Sequence, residues 1–373
     1  MCTESKFFVE TPIFSAGEAG VCEFRIPAMV CSNEGTLLAA CDARVDRTGD
    51  PPNNVDLALK RSEDYGATWS NLEFLVDDGG EMAASDPCML VDRVTGAIWI
   101  LYDHVYPSME ELRRRDPERA RGARAGWKGR VIFLHAIRSD DDGRTWSEPM
   151  DLTPQVKSPD WQSAMSGPGM GITMRNGRMI FTGYRRFGLD FSGDSSHVYF
   201  SDDRGRTWQT GATPGPKTNE AQVVELADGR LMINMRAPHG HGCRKIATST
   251  DGGEAWSEPR DEPTLIEPGC QASLIRWPGA AVDDDSSGQK RLLFSNPASA
   301  EERTDLTVRL SYDDGDSWPV ARLVSPDYCA YSCMAALPDG TVGLLYEHKG
   351  SDADTPGFEH LMFARFNEAW LTD

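Results

Sequence analysis

The sequence predicts an all-β fold, a six-bladed β-propeller, and three observations carry that expectation. One short string of residues recurs five times, its period divides the chain into six, and the stretches between copies alternate as strands do. The string is S-x-D-x-G-x-x-W. Its copies are SEDYGATW (Ser62 to Trp69), SDDDGRTW (Ser139 to Trp146), SDDRGRTW (Ser201 to Trp208), STDGGEAW (Ser249 to Trp256) and SYDDGDSW (Ser311 to Trp318). The first and last copies start 249 residues apart, a mean period of about 62, and six such periods fill the 373 residues.

Each copy has the chemistry of a hairpin corner. Asp and Ser side chains bond turn amides, Gly supplies a positive φ, and Trp packs back on the strands. The acidic strings resemble calcium loops, but none has the twelve-residue loop ending in Glu between two helices that an EF-hand needs, so they are expected to be structural turns. Between the corners lie GTLLAACDAR, AIWILYDHV, RVIFLHAIRS, GRLMINMRA, KRLLFSNP and GTVGLLYEH, and no long segment has helical periodicity. Such units form a single domain over residues 1–373, its ring closed by pairing KFFVETPIF with HLMFARF.

Composition limits the partners. Apolar residues make up 39% of the chain, beside 35 Gly and 23 Pro, which excludes disorder and collagen-like repeats. A net charge of −20 argues against nucleic acid or an anionic membrane, so an anionic ligand must be held by a local cationic cluster. No stretch approaches the roughly 18 apolar residues of a membrane span, and the opening MCTESKFFVETPIF lacks the pattern of a leader. The expectation is a cytoplasmic protein if Met1 is the true start, and a secreted or periplasmic one if a leader is missing. Nine cysteines without regular spacing are expected to be small buried thiols in a reducing compartment. Nothing in the sequence sets the oligomeric state.

The chemistry is expected outside the boxes. A buried guanidinium is costly unless it meets a carboxylate, which singles out Arg25 in EFRIPAMV, Arg236 at the end of LMINMRA and Arg303 opening RTDLTVRL. Starts of innermost strands converge in a propeller, so three planar forks around one point would suit a carboxylate ligand. The longest departure from the repeat, Glu111 to Arg130, carries eight basic and three acidic residues, and is either a solvated insertion or a basic flap near the mouth. GPGMG (Gly167 to Gly171) lacks the setting of a phosphate loop and is expected to be a turn beside the site. His104, His239 and His241 make no metal-ligand spacing, and neither metal nor cofactor is expected. Trp161 and Tyr184 are either ligand contacts or core residues.

FRIP followed by repeated Asp-boxes resembles the sialidase (neuraminidase) family of six-bladed propellers, and the resemblance extends over essentially the whole chain. It implies an exo-α-sialidase acting on sialylated glycans, in which Arg25, Arg236 and Arg303 clamp the substrate carboxylate. In CDARVDRTGDPPNNVDL it implies Arg44 and an aspartate acid/base, Asp50, which opens the Gly-Asp-Pro-Pro loop, with Asp46 as the rival. It further implies a nucleophile, Tyr331 in AYSCM, with Glu220 as its base. By the same resemblance Glu347 in LLYEH is expected to orient the first arginine, and Asp86 in SDPCML to lie in the loop facing the N-acyl group. One departure is Cys333, where relatives often carry an acid. Burial near three arginines is expected to favour the phenolate of Tyr331 as well as the carboxylate of Glu220. The alternatives are action on another nonulosonic acid, transfer to another sugar, and a non-catalytic glycan-binding propeller.

Overall fold

The computed structural model describes residues 5–187, 191–238, 240–277, 290–350 and 357–373, except the side chains of Trp127 and Phe191. Among these the molecule is all-β, in a propeller-like arrangement of four sheets of four or five strands and one sheet of nine. A typical sheet is an antiparallel meander in chain order: Ala221–Glu225, Leu231–Met235, Cys243–Ser249 and Arg260–Ile266. Inside the nine-stranded sheet two meanders meet at one parallel bridge, Val55 to Ala83. Phe8–Ser15 pairs antiparallel with His360–Phe366, Phe8 opposite Phe366 and Ser15 opposite His360, so the chain's start supplies the outer strand of its last sheet.

The inner strands pack around a common axis. Cys329–Ala336 lies against Glu23–Cys31 and Ser273–Arg276, Glu23–Cys31 against Ala83–Val91, and Ser273–Arg276 against Ala221–Glu225. The GPGMG segment is extended rather than a turn. Gly169–Met170 runs parallel to Ala83–Val91, and Met170 packs against three hydrophobic clusters at once. Gly169 has φ +119°, and a Cβ there would lie 2.9 Å from Gln222 Nε2. That amide and the one of Gln271 both donate to the Pro168 carbonyl, at 3.0 and 3.2 Å. Cys333 is fully buried, with Met29 N–H 3.3 Å from its sulfur, so this departure joins two sheets in the core. Cys22 is exposed, contrary to the expectation of buried thiols; the other described cysteines are buried.

The five boxes share one hydrogen-bond pattern. In each, the Asp accepts from the Ser hydroxyl and from the amide four residues on, while the Gly amide donates to the Ser oxygen. The box Gly and the residue before it both have positive φ, as in Tyr65–Gly66 (59° and 86°). The Gly meets a second constraint from its neighbours. A Cβ at Gly66 would lie 2.1 Å from Phe363, at Gly143 2.2 Å from Leu38, at Gly205 2.3 Å from Trp99, and at Gly253 2.6 Å from Val198. Each of those side chains belongs to the adjacent sheet or half-sheet, as does Met232, 3.0 Å from a Cβ at Gly315, so every box also meets a neighbour. Two of the Trp rings join the seam: Trp208 packs edge-on against Trp99, and Trp69 against Phe363.

Gly205→Ala therefore combines a disfavoured φ with a clash against a buried indole and is expected to destabilise the fold by about 2 to 4 kcal/mol. Denaturant unfolding measures this; a change below about 0.5 kcal/mol would mean the seam relaxes freely.

Candidate active site

At one end of the axis lies a cavity of about 150 Å³. It receives side chains from widely separated parts of the chain, and three strand irregularities explain how Arg25, Asp86 and Tyr331 arrive. The ladder of Glu23–Cys31 slips between Arg25 and Ala28, that of Ala83–Val91 between Ser85 and Cys88, and that of Cys329–Ala336 between Cys329 and Ser332. In the first two the residue before a proline takes positive φ, Ile26 at 59° and Asp86 at 56°. Such bulges turn side chains and free backbone N–H groups away from the ladder. Here the freed amides meet carboxylates. Ile26 and Tyr331 donate to Glu347 at 2.8 and 3.0 Å, and Asp86 donates to Asp42 at 2.9 Å.

Eight of the nine residues singled out from the sequence line the cavity: Arg25, Arg44, Asp50, Asp86, Glu220, Arg236, Arg303 and Tyr331. Glu347 stands behind them, fully buried, with a two-point ion pair to Arg25 at 2.8 Å on both arms. Of the three arginines only Arg25 lies near the start of an inner strand. Arg236 follows the second strand of its sheet, and Arg303 sits in the loop before Leu306–Ser311, so strand starts alone do not explain their convergence. All three surround Tyr331. The Arg25 and Arg303 guanidiniums lie 5.5 and 5.6 Å from the centre of its ring, and Arg236 Nη1 donates to its oxygen at 3.0 Å. The Tyr331 hydroxyl donates to Glu220 Oε1, whose other oxygen meets Arg236 at 2.5 Å.

Burial pushes the Tyr331 phenol well above its ordinary value, and the negative charge of Glu220 adds to this; Arg236 and Arg303 only partly offset them. The expectation that three arginines favour the phenolate is thus corrected, because desolvation outweighs their pull. Arg25 shows the opposite balance: burial would lower it, but Glu347 raises it above its usual range. Asp50 accepts from Arg44 at 3.0 Å and keeps 56% of its side chain exposed. Burial would raise its carboxyl, yet Arg44, then Arg25 and Arg130, hold it below the ordinary value. Asp46 is exposed and does not line the cavity.

Several lining residues escaped sequence reasoning: Asp42, Asp103, Arg130 and Arg186. Asp42 in LAACDAR and Asp103 in ILYDHV are ionisable residues inside apolar strands, and that anomaly was the available signal. Burial raises both carboxyls well above normal, and Asp86 rises to about 7 through burial and then through Glu220 and Asp50. Six arginines face five carboxyl groups around the cavity. With three of those five pushed toward neutrality, the site is locally cationic within a chain of net charge −20.

Tyr184 lines the cavity, whereas Trp161 is a core residue, packed 5.1 Å from His197. His104 pairs with Asp78 and His241 with Asp261; His239 lies outside the described residues. Among the described residues no cluster of three or more His, Cys, Asp or Glu could hold a metal ion, and no helix is long and apolar enough to cross a membrane.

A carboxyl whose folded value lies above its unfolded one binds extra protons in the folded state, so its contribution is present at low pH and lost as pH rises through about 7. Asp86→Asn keeps tolerance for positive φ and removes this titration. It is expected to raise stability at pH 8 relative to pH 5 by about 1 to 2 kcal/mol, discounted because Asp86 is partly exposed. An unchanged difference between the two pH values in denaturant unfolding would refute the assignment.

The BNR repeat-like domain model matches residues 35–344. The chain is 37% identical to a sialidase of Micromonospora viridifaciens, over 98% of this chain and 54% of that protein. It is 33% identical to a sialidase of Bacteroides fragilis strain YCH46, over 89% and 61%. The chain thus spans little more than half the length of these curated relatives. The solved structure of the Hadza microbial sialidase Hz136 superimposes with a TM-score of 0.83 at 32% identity, covering 97% of this chain and 69% of that one. On a domain model covering most of its length and these relatives, the chain belongs to the sialidase family of BNR-repeat, propeller-fold proteins.

Proposed function

We propose that the chain is an exo-α-sialidase that releases terminal sialic acid from glycoconjugates with retention of configuration. The observation that carries this reading is the Tyr331 hydroxyl bonded to Glu220 beneath three guanidiniums. The sheet count belongs to the same reading: taking the nine-stranded sheet as two meanders joined by one bridge yields six blades in one catalytic domain.

The chemistry suits the groups. Sialic acid carries a carboxylate on its anomeric carbon, so an anionic nucleophile would be repelled from the centre it must attack, and a neutral phenol avoids this. Arg25, Arg236 and Arg303 receive the carboxylate. Glu220 takes the phenol proton as the Tyr331 oxygen bonds to the anomeric carbon, and Asp50 protonates the departing glycosidic oxygen. Water, deprotonated by Asp50, then attacks the same carbon; the phenolate leaves and recovers its proton from Glu220. Two displacements retain configuration. The raised phenol fits a proton that moves only as attack proceeds, which spares the cavity a buried phenolate at rest. Arg44 and Arg25 hold Asp50 toward its anion in the free protein, so it takes a proton from solvent before it donates, and a substrate carboxylate that neutralises Arg25 favours that uptake by removing part of the opposing pull. The tyrosine and its base distinguish this reading from a glycan-binding propeller, which has no use for the pair.

Tyr331→Phe is expected to lose on the order of a thousandfold in kcat or more while retaining binding of a substrate-like inhibitor. A fluorinated sialic acid that traps the intermediate is expected to label Tyr331 in the wild-type protein, and mass spectrometry finding the label on any other residue would overturn the mechanism. Asp50→Ala is expected to slow a natural sialoside far more than an aryl sialoside whose leaving group needs little protonation. Equal losses would assign Asp50 to binding. The same assays, run with lactose as acceptor, separate hydrolysis from transfer.

A further inference from the structure

The basic insertion is anchored at a few points, while most of its basic side chains are exposed. Ser108 caps its helix, Met109–Arg115, by accepting from the Glu111 amide at 3.1 Å. Arg115 then donates to the carbonyls of Asp78 and Gly79. Arg119 meets Asp151 at 2.5 Å and His135 at 2.8 Å, with its guanidinium 3.7 Å over the Phe133 ring. The segment ends at Arg130, whose carbonyl accepts from Gly126 at 2.6 Å. The Arg130 side chain is 5% exposed, lines the cavity, and donates from Nη1 to the Pro51 carbonyl at 2.6 Å. Pro51 is the residue after Asp50.

The rest of that loop is held from its other side. Asn53 donates to the carbonyls of Arg47 and Gly49, and the Gly49 amide donates to Glu23 at 3.4 Å. Those bonds fix the loop's shape. The Arg130 bond fixes its position over the cavity, because it reaches across from the other meander of the nine-stranded sheet. We propose that Arg130, delivered by the insertion, is a positioning residue that holds the Asp50 loop over the cavity through the Pro51 carbonyl. This rests on reading Asp50 as the proton donor to the leaving oxygen.

The charged groups facing Asp50 are Arg44 and Glu23 beside it, Arg25, Arg130, and Asp86 across the cavity; those facing Arg130 include Arg186, Tyr184 and Asp86. Removing Arg130 takes one cation from the set that favours the Asp50 anion, so Asp50 keeps its proton to higher pH.

The test is steady-state kinetics of the full chain and of Arg130→Met and Arg130→Lys, on α2,3-sialyllactose and on an aryl sialoside, across pH. Arg130→Met is expected to lower kcat on sialyllactose about tenfold or more and on the aryl sialoside about twofold or less. The alkaline limb for sialyllactose is expected to move upward, and Arg130→Lys, which keeps the charge, to return the limb toward the wild-type position. Equal losses on both substrates, no loss, or an unmoved limb overturns the proposal. If Arg130→Met does not fold, Arg119→Met loosens the insertion away from the cavity and is expected to show the same substrate-dependent loss; uniform activity there overturns the proposal as well. Failure of the wild-type protein on both substrates would instead remove the sialidase reading, and this proposal with it.

Discussion

The carboxylate of Glu347 is where closure of the fold and construction of the site meet. It is fully buried, and four donors surround it, both arms of Arg25 and the amides of Ile26 and Tyr331, which offset the cost of taking a carboxyl group out of water. Two of those donors exist because the ladders of Glu23–Cys31 and Cys329–Ala336 are interrupted at those residues. One carboxylate thereby fastens the inner strand of the first sheet to that of the last, and orients an arginine and the tyrosine in doing so. Removing it would leave Arg25 buried without its partner, a loss typically near 3 to 5 kcal/mol.

Around that anchor the cavity is governed by desolvation as much as by charge. Six arginines would be expected to turn every neighbouring acid into an anion, yet Asp42, Asp86 and Asp103 are pushed up and Tyr331 retains its proton. Asp50 is the exception, since it is still partly in water and lies against Arg44. The outcome is a site with surplus positive charge for an anion and with proton-bearing groups close to it. Long-range repulsion from a chain of net charge −20 matters little here, because it is screened beyond about 8 to 10 Å.

The boxes lie on the sheets' outer turns, and their contribution is mechanical. A Gly that must take positive φ would be replaceable by Asn at modest cost; a Gly pressed against Phe363, Leu38 or Trp99 of the next sheet or half-sheet is not. The repeat is therefore a rule for how adjacent sheets approach one another, repeated at five seams. That regular approach holds the inner strands around one axis.

Much of this was legible in the residues. Box spacing and strand alternation predicted an all-β molecule, because hairpin corners and two-residue periodicity are local properties, and nine residues named in advance lie in or directly behind one cavity. Local pattern could not weigh burial against charge, so it misjudged the Tyr331 phenol, and it took GPGMG for a turn when the segment runs along the axis as a strand. It also left the basic insertion undecided. Arg119 and Arg130 look like solvent cations in sequence, and only their partners Asp151, Phe133 and the Pro51 carbonyl, contributed by other strands and loops, show that they are docked. The sequence by itself determined the repeating unit and the residue types of the site. Tertiary structure decided which charges meet, how deeply each is desolvated and where each proton stays, because those energies depend on distances between segments that the order of residues does not contain.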